Sequence, residues 1–480
     1  MRKTKIIATV GPSSRDPEVI KALIEAGVDV FRLNFSHGDI EYHRENIERI
    51  KRVSAELKNS VAILQDLSGP KIRIGEVKEP FSLYQGEILE IYKKPISCQK
   101  TNGIGKVYID YSEVLEELRE GDLIFIADGL IKVKVVEKGS DKIVTEVIQG
   151  GVISSRKGIN FPGAEISIKT LTDKDKEDLI FGLKMGIDLI AMSFVGDKND
   201  ILEAKEIIRK YDKDTPILAK IETLKALRNI EGIIEASDGL IVARGDLGVE
   251  VPVEKVPVIQ KTLVNKARAA GIPVVIATQM LTSMINSTMP TRADVSDIAN
   301  AVFDGADALM LSDETVVGKY PVEAVKVMAR TIEEAEKICK YRVEEHPHVS
   351  PDFAIAYSSC ILAEEIGAKA IVVFTKSGSS AKRVAKFRPK PIIIVNVHDE
   401  EILRRLKIVW GIHPYMVLSE KEDTESMVKE FIKKAYRDNL IDKDDILVLT
   451  MGYPVGKIGS TNLIRVVKKE HILEYISEKE

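Results

Sequence analysis

The sequence predicts an α/β protein: a (β/α)8 TIM barrel interrupted by an inserted all-β lid domain and followed by a C-terminal α/β domain. Eight short, apolar, β-rich runs alternate with stretches of helical periodicity, the pattern of a parallel sheet covered by helices. One connection breaks that rhythm, because roughly ninety residues after the third run alternate apolar and polar residues instead of reading as helix. Beyond the last barrel helix a second strand and helix series begins.

The eight runs are Thr4 to Val10, Val28 to Leu33, Val61 to Asp66, Ile187 to Ser193, Pro216 to Ile221, Gly239 to Ala243, Pro273 to Ala277 and Asp307 to Leu311. Between them the periodicity predicts helices over Pro17–Ala26, Asp39–Leu57, Lys174–Met185, Lys198–Lys210, Leu224–Glu235 and Glu254–Ala270. Gly27, Gly186 and Gly271 follow three of these as C-caps do. The insertion carries alternating runs at Glu87–Tyr92, Asp122–Ala127, Leu130–Val136 and Lys142–Ile148, bracketed by the hinge-suited pairs Gly69-Pro70 and Pro162-Gly163. A lid on such hinges would exclude water at the barrel mouth. After a helix over Val322–Lys340, a charged linker from Arg342 to His348 leads to strands at Ala370–Phe374, Pro391–Val395 and Ile446–Leu449, with helices near Ala354–Glu365, Ala381–Phe387 and Thr424–Tyr436. The expected division is 1–69 with 163–341 for the barrel, 70–162 for the lid and 342–480 for the last domain.

Barrels of this kind place catalytic groups at the C-terminal ends of their strands. Seven of the eight ends here are polar, among them Arg32 to Gly38, Gln65-Asp66, Lys220 to Glu222, Arg244 to Asp246, Thr278-Gln279 and Ser312 to Thr315. Solvation explains one such end but not seven converging on one mouth. Lys220 and Glu222, two apart on a strand, face one side; alone they fit a structural ion pair as well as a site. Asp246 on the next strand end adds the second carboxylate that a hard divalent ion such as Mg2+ or Mn2+ takes. Arg32, Arg73 and Lys220 bring the positive charge that phosphoryl transfer demands.

The segments TKIIATVGPSS, FRLNFSHG, GPKIR, KGINFPG, AKIET, ARGDLGVE, ATQMLTSM and TRADVSDIANAVFDGADALMLSDET resemble the pyruvate kinase family along nearly the whole chain. The resemblance implies transfer of phosphoryl from phosphoenolpyruvate to ADP. It implies that Glu222 and Asp246 hold the divalent metal, that Lys220, Arg32 and Arg73 stabilise the migrating phosphoryl group, and that Gly245 and Thr278 meet the substrate carboxylate. Thr278 and Ser312 then lie near the route by which enolpyruvate gains its proton. Lys157, with Asn34 and Arg73, matches nucleotide contacts, and Asn34, Ser36 and Asp66 match the monovalent-cation pocket. That pocket departs from the pattern, because potassium-dependent members read Asp-Thr-Lys-Gly-Pro-Glu-Ile-Arg-Thr where this chain has Leu67 and Lys71. An ammonium in place of a carboxylate brings its own charge, so K+ is expected not to be required. Asp313 stands where the family commonly has Gly.

Thr375, Lys376, Ser377, Gly378, Ser379 and Ser380 follow a strand and open a helix, a geometry that cradles phosphate. They match the family's effector loop, for a sugar phosphate or AMP, with Lys382 and Arg383 in support. The family implies a homotetramer. Acidic and basic residues nearly cancel, 74 against 70, so no bulk field points to nucleic acid or membrane. Three scattered cysteines and the lack of an apolar leader or span predict a cytoplasmic protein. Two other readings compete. Aldolases and lyases acting on pyruvate enolates also pair Glu and Asp on adjacent strand ends, but lack the hinged insertion; a phosphate sensor without turnover would need a broken residue among Lys220, Glu222, Asp246 and Thr278, and none is broken.

Overall fold

A computed structural model describes residues 1–164, 166, 168–211, 213–339, 350–418, 423–453 and 461–477. The linker expected from 342 to 348 lies outside them. Eight parallel strands close a barrel in chain order: β1 Lys5–Thr9, β2 Val30–Asn34, β3 Ala62–Leu67, β4 Leu189–Met192, β5 Ile217–Ile221, β6 Gly239–Ala243, β7 Val274–Ala277 and β8 Ala308–Leu311. Every expected run therefore became a strand, its ends within two residues of those expected. The strands are buried on both faces, which is why they read as unbroken apolar runs. Ile7, Val30, Leu64, Leu189 and Val275 fill the interior, while Ile6, Phe31, Ile63 and Ile190 pack under the outer helices.

The helices start where their caps say. Thr172, Asp197 and Thr291 each accept the backbone N–H three residues on, and Asp175, Asp200 and Asp294 return the bond. Gly186 and Gly271 close two helices at φ 65° and 77°, left-handed positions that glycine tolerates. The expected helix over Leu224–Glu235 is two, Leu224–Arg228 and Ile230–Ala236, broken at Asn229, whose amide turns to bond Gly196 O at 2.9 Å.

The insertion forms a seven-stranded sheet and a two-stranded one around a separate core that includes Leu89, Ile91, Val133 and Ile143. A single turn of helix, Val114–Glu117, interrupts its otherwise all-β make-up. The last domain is a five-stranded sheet, β9 Ala370–Phe374, β10 Ile392–Val397, β11 Ile412–Val417, β12 Leu447–Gly452 and β13 Thr461–Val467, in the order β11-β10-β9-β12-β13 with β13 antiparallel. It sits under the N-terminal ends of the barrel strands, where Lys5 Nζ donates to Ile412 O at 2.7 Å and Arg404 Nε meets Asp188 at 2.8 Å. No helix among the described residues is long and apolar enough to cross a membrane.

Candidate active site

At the C-terminal mouth, β3, β4 and β5 deliver Asp66, Ser193 and Lys220 to one point. Lys220 Nζ lies 2.9 Å from Glu222 Oε1 and 3.4 Å from Asp66 Oδ1, and donates to Ser193 Oγ at 2.7 Å. Burial works against the ammonium, but the Asp66 and Glu222 carboxylates outweigh it and raise its pKa, so Lys220 stays charged. Arg32 reaches the same carboxylate from β2, its Nε donating to Asp66 Oδ2 at 2.7 Å, and its Nη1 to Thr9 Oγ1 at 2.9 Å. Burial alone would raise Asp66, yet Lys220 and Arg32 hold it below the ordinary range.

Glu222 behaves differently. Its Oε2 accepts Phe194 N at 2.7 Å, but burial, helped by the nearby Asp246 charge, raises it against the pull of Lys220. Asp246, half-buried, makes no hydrogen bond or ion pair among the described residues. A buried carboxylate beside a free one with mutually unfavourable charge is a donor set that fits a hard divalent cation. Among the described residues no three His, Cys, Asp or Glu side chains group to hold a metal, so the remaining ligands would be substrate oxygens and water.

Beside this cluster, Thr278 Oγ1 accepts Gly245 N at 2.9 Å. Thr278 and Gln279 stand at φ 71° and 56°, and Phe194 at 55°, left-handed backbone that non-glycine residues keep only where surroundings impose it. Arg244 imposes part of it, donating to Thr278 O at 2.6 Å while its other arm holds Asp297 at 2.7 Å. Glu314, buried, accepts Leu281 N at 2.9 Å and Ser312 N at 2.8 Å, tying the ends of β7 and β8 together.

Residues 1–325 match the family model for the pyruvate kinase barrel domain, and residues 353–467 the one for the pyruvate kinase alpha/beta domain. The chain belongs to the pyruvate kinase family. It is 44% identical to pyruvate kinase 2 of Synechocystis over 480 residues, covering 98% of this chain and 80% of that one. With the pyruvate kinase of Thermotoga maritima it shares 42% over 471 residues, 98% and 100% of the two chains. The crystal structure of a pyruvate kinase from Cryptosporidium parvum superposes with a TM-score of 0.91 at 37% identity, over 97% of this chain and 96% of that one. Pyruvate kinase activity goes with a chain that carries both family domains at this identity.

The structure thus gathers Arg32, Lys220, Glu222, Asp246, Gly245, Thr278 and Ser312 at one mouth. Arg73 is not in the Lys220 cluster, because residues 72–74 are paired within the lid, to residues 109 and 157–159, and its guanidinium donates to Arg156 O at 2.8 Å. Lys157 is exposed on the same lid edge. In the monovalent-cation pocket, Asn34 Oδ1 accepts Ser36 N at 3.1 Å and Ser68 donates to Ser36 Oγ at 3.0 Å, while Leu67 is buried. Lys71 is exposed beside lid Gly158 and, among the described residues, is not bonded to Asp66. Asp313 is exposed and opens the short helix Asp313–Val316. In the effector loop, Gly378 N is already bonded to Thr375 Oγ1 at 3.1 Å, and Ser380 to Thr461. Arg383 pairs with Asp352 at 2.8 Å and its Nη1 also donates to Ser379 Oγ of the loop at 3.5 Å, while Lys382 faces the barrel floor.

Sequence reasoning did not assign roles to Ser193, Thr9 or Glu314. Ser193 and Glu314 both lie in the polar strand ends, the one signal that marked them.

Proposed function

We propose that this chain transfers the phosphoryl group of phosphoenolpyruvate to ADP, forming pyruvate and ATP. The observation that carries the reading is the largely buried, charged Lys220 held by two carboxylates beside Arg32 at the barrel mouth. The enol oxygen–phosphorus bond breaks while an ADP β-phosphate oxygen attacks phosphorus; charge spreads over the equatorial oxygens, and Lys220 and Arg32 are fixed where that charge develops. Because Asp66 and Glu222 orient them beforehand, little reorganisation is needed at the moment of transfer. The Gly245 N–H and Thr278 hydroxyl would meet the substrate carboxylate, and Ser312, whose N–H is clamped by Glu314, sits on the side from which the methylene carbon gains its proton. Glu222 and Asp246 would hold Mg2+ or Mn2+, which when bound supplies further positive charge against the phosphate oxygens. Arg73 and Lys157, carried on the lid, would arrive at the nucleotide as residues 70–162 close.

Lys71 supports activity without K+, since its exposed ammonium is free to supply charge when the lid closes. We also infer a cytoplasmic homotetramer with a phosphate-bearing effector. A coupled pyruvate assay tests the core of this reading. Pyruvate is expected only with phosphoenolpyruvate, ADP and a divalent ion together, at an undiminished rate when tetramethylammonium chloride replaces KCl. Substrate binding without turnover would leave a phosphate sensor instead; loss of activity without K+ would refute only the role of Lys71.

A further inference from the structure

A cavity of about 460 Å3 lies between the lid and the barrel, a size that takes a small organic molecule. Ile72, Ile159 and Phe161 line it from the lid, and Phe194 and Leu224 from the barrel. Of the residues assigned above to substrate, divalent metal or nucleotide, Asp246 alone lines it; Arg32, Lys220 and Thr278 do not, nor do Asn34, Arg73 and Lys157. The cavity therefore adjoins the phosphotransfer cluster without containing it.

Three cations reach it, Lys71 from the lid and Lys225 and Arg228 from the helix Leu224–Arg228, and none has an ion pair or hydrogen bond among the described residues. Lys225 and Arg228, three apart, stand on one face of that helix. Three carboxylates also line the cavity, Asp128, Asp246 and Glu250. Asp246 belongs to the site already described. Burial raises Glu250, partly opposed by the Leu224 N–H and the Asn160 amide, so this carboxylate is engaged within the cavity's own walls. Asp128 is exposed on a turn of the lid, where water solvates it. Lys225 and Arg228 are thus left as a paired cationic wall beside apolar surface.

We propose that this cavity binds a flat aromatic carboxylate, its ring system against Phe161 and Leu224 and its carboxylate on Lys225 and Arg228. The Phe161 ring and the planar Arg228 guanidinium both stack on flat π-systems, which favours rings over an acyl chain. A guanidinium fork with an ammonium beside it matches the two oxygens of a carboxylate. Such a ligand ties the lid to the helix that follows the Glu222 strand end.

Titration calorimetry of the full chain with 2-naphthoate tests this without turnover, so its failure and that of the phosphotransfer reading are separable. 2-Naphthoate is expected to bind and acetate not to. 2-Naphthol, which keeps the rings and lacks the carboxylate, should bind about tenfold more weakly, as should decanoate, which keeps the carboxylate and lacks the rings. ADP should not displace 2-naphthoate. Arg228→Ala and Lys225→Ala should each weaken it about tenfold, whereas Lys376→Ala in the last domain should change it less than about twofold. Both cations are exposed, so neither variant disturbs the core. Absence of 2-naphthoate binding, equal affinity for 2-naphthol or decanoate, displacement by ADP, or sensitivity to Lys376→Ala with both cavity variants unaffected would each overturn the proposal.

Discussion

The two ends of the barrel use the same residue types to opposite ends. On the floor, Asp29, Asp188, Asp238 and Asp307 stand immediately before β2, β4, β6 and β8, and each accepts a backbone N–H from the strand before it: Ile6, Ile63, Ile217 and Val274, at 2.9 to 3.0 Å. Cations complete them: Arg2 pairs with Asp29, Arg404 with Asp188, Lys205 with Asp238 and Arg388 with Asp307. At the mouth, Asp246 is left free, Glu222 is raised by its surroundings, and Phe194, Thr278 and Gln279 hold left-handed backbone. A carboxylate completed by its own fold stabilises; one left incomplete waits for a ligand.

The sharpest way to break that contrast is Lys220→Met. Turnover should fall on the order of a thousandfold, because a group aimed at developing charge is worth about 4 kcal/mol in the transition state. The measurement is kcat of the purified variant alongside its thermal melt. A folded variant with unchanged turnover would move the chemistry away from this cluster.

The floor should give the reverse. Asp307→Ala removes the acceptor of Val274 N at 3.0 Å and of Trp410 N at 3.0 Å and takes the carboxylate away from buried Arg388, so stability should drop by about 3 to 5 kcal/mol. The urea midpoint reads this, and kcat per folded molecule should stay within about threefold. A thousandfold loss of kcat in folded Asp307→Ala would erase the distinction between the two ends.

Much of this was legible in the sequence. All eight barrel strands were, because parallel strands buried on both faces leave continuous apolar runs between capped helices. The strand β11, Ile-His-Pro-Tyr-Met-Val, was not read, since an edge strand tolerates His and Pro that argue against a strand elsewhere. Nor was β13, nor the helices Glu400–Arg405 and Lys469–Ser477. The aspartate ring is written plainly in Gly-Val-Asp-Val, Gly-Ile-Asp-Leu and Gly-Ala-Asp-Ala ahead of β2, β4 and β8. At the site, residue types at strand ends identified Lys220, Glu222 and Asp246. Which partner a cation takes is a tertiary fact, and so the bond of Arg73 to Arg156 O, the pairing of Arg383 with Asp352 and the place of Lys382 at the seam could not be read from spacing.

Lys5 sharpens the comparison through pH. At the start of β1 it is buried between barrel and last domain, and burial lowers its pKa to about 8 despite Asp29. Between that value and the unfolded one, near 10.4, the native state binds fewer protons than the unfolded state, so stability rises with pH across the window. Against Lys5→Met, which lacks this titration, the parent should gain roughly 2 to 3 kcal/mol between pH 7.5 and 10.5. Urea midpoints of both proteins at the two pH values measure it. A difference that does not change with pH would show that the seam leaves this lysine's charge undisturbed.

The smallest effect is expected from Ser193→Ala, and it separates holding the lysine from taking part in transfer. Ser193 Oγ accepts Lys220 Nζ at 2.7 Å and itself donates to Leu67 O at 2.7 Å, so it ties the ammonium to the end of β3. Without the hydroxyl, Asp66 and Glu222 still hold the ammonium charged, and only its aim loosens. Losing one such bond is worth about 1 to 1.5 kcal/mol, which predicts roughly a tenfold lower kcat. The KM for phosphoenolpyruvate should stay within about twofold, because ground-state binding uses the charge and not its aim. A loss as deep as that of Lys220→Met would put the serine hydroxyl against the reacting atoms, while no loss at all would mean that the two carboxylates alone aim the lysine.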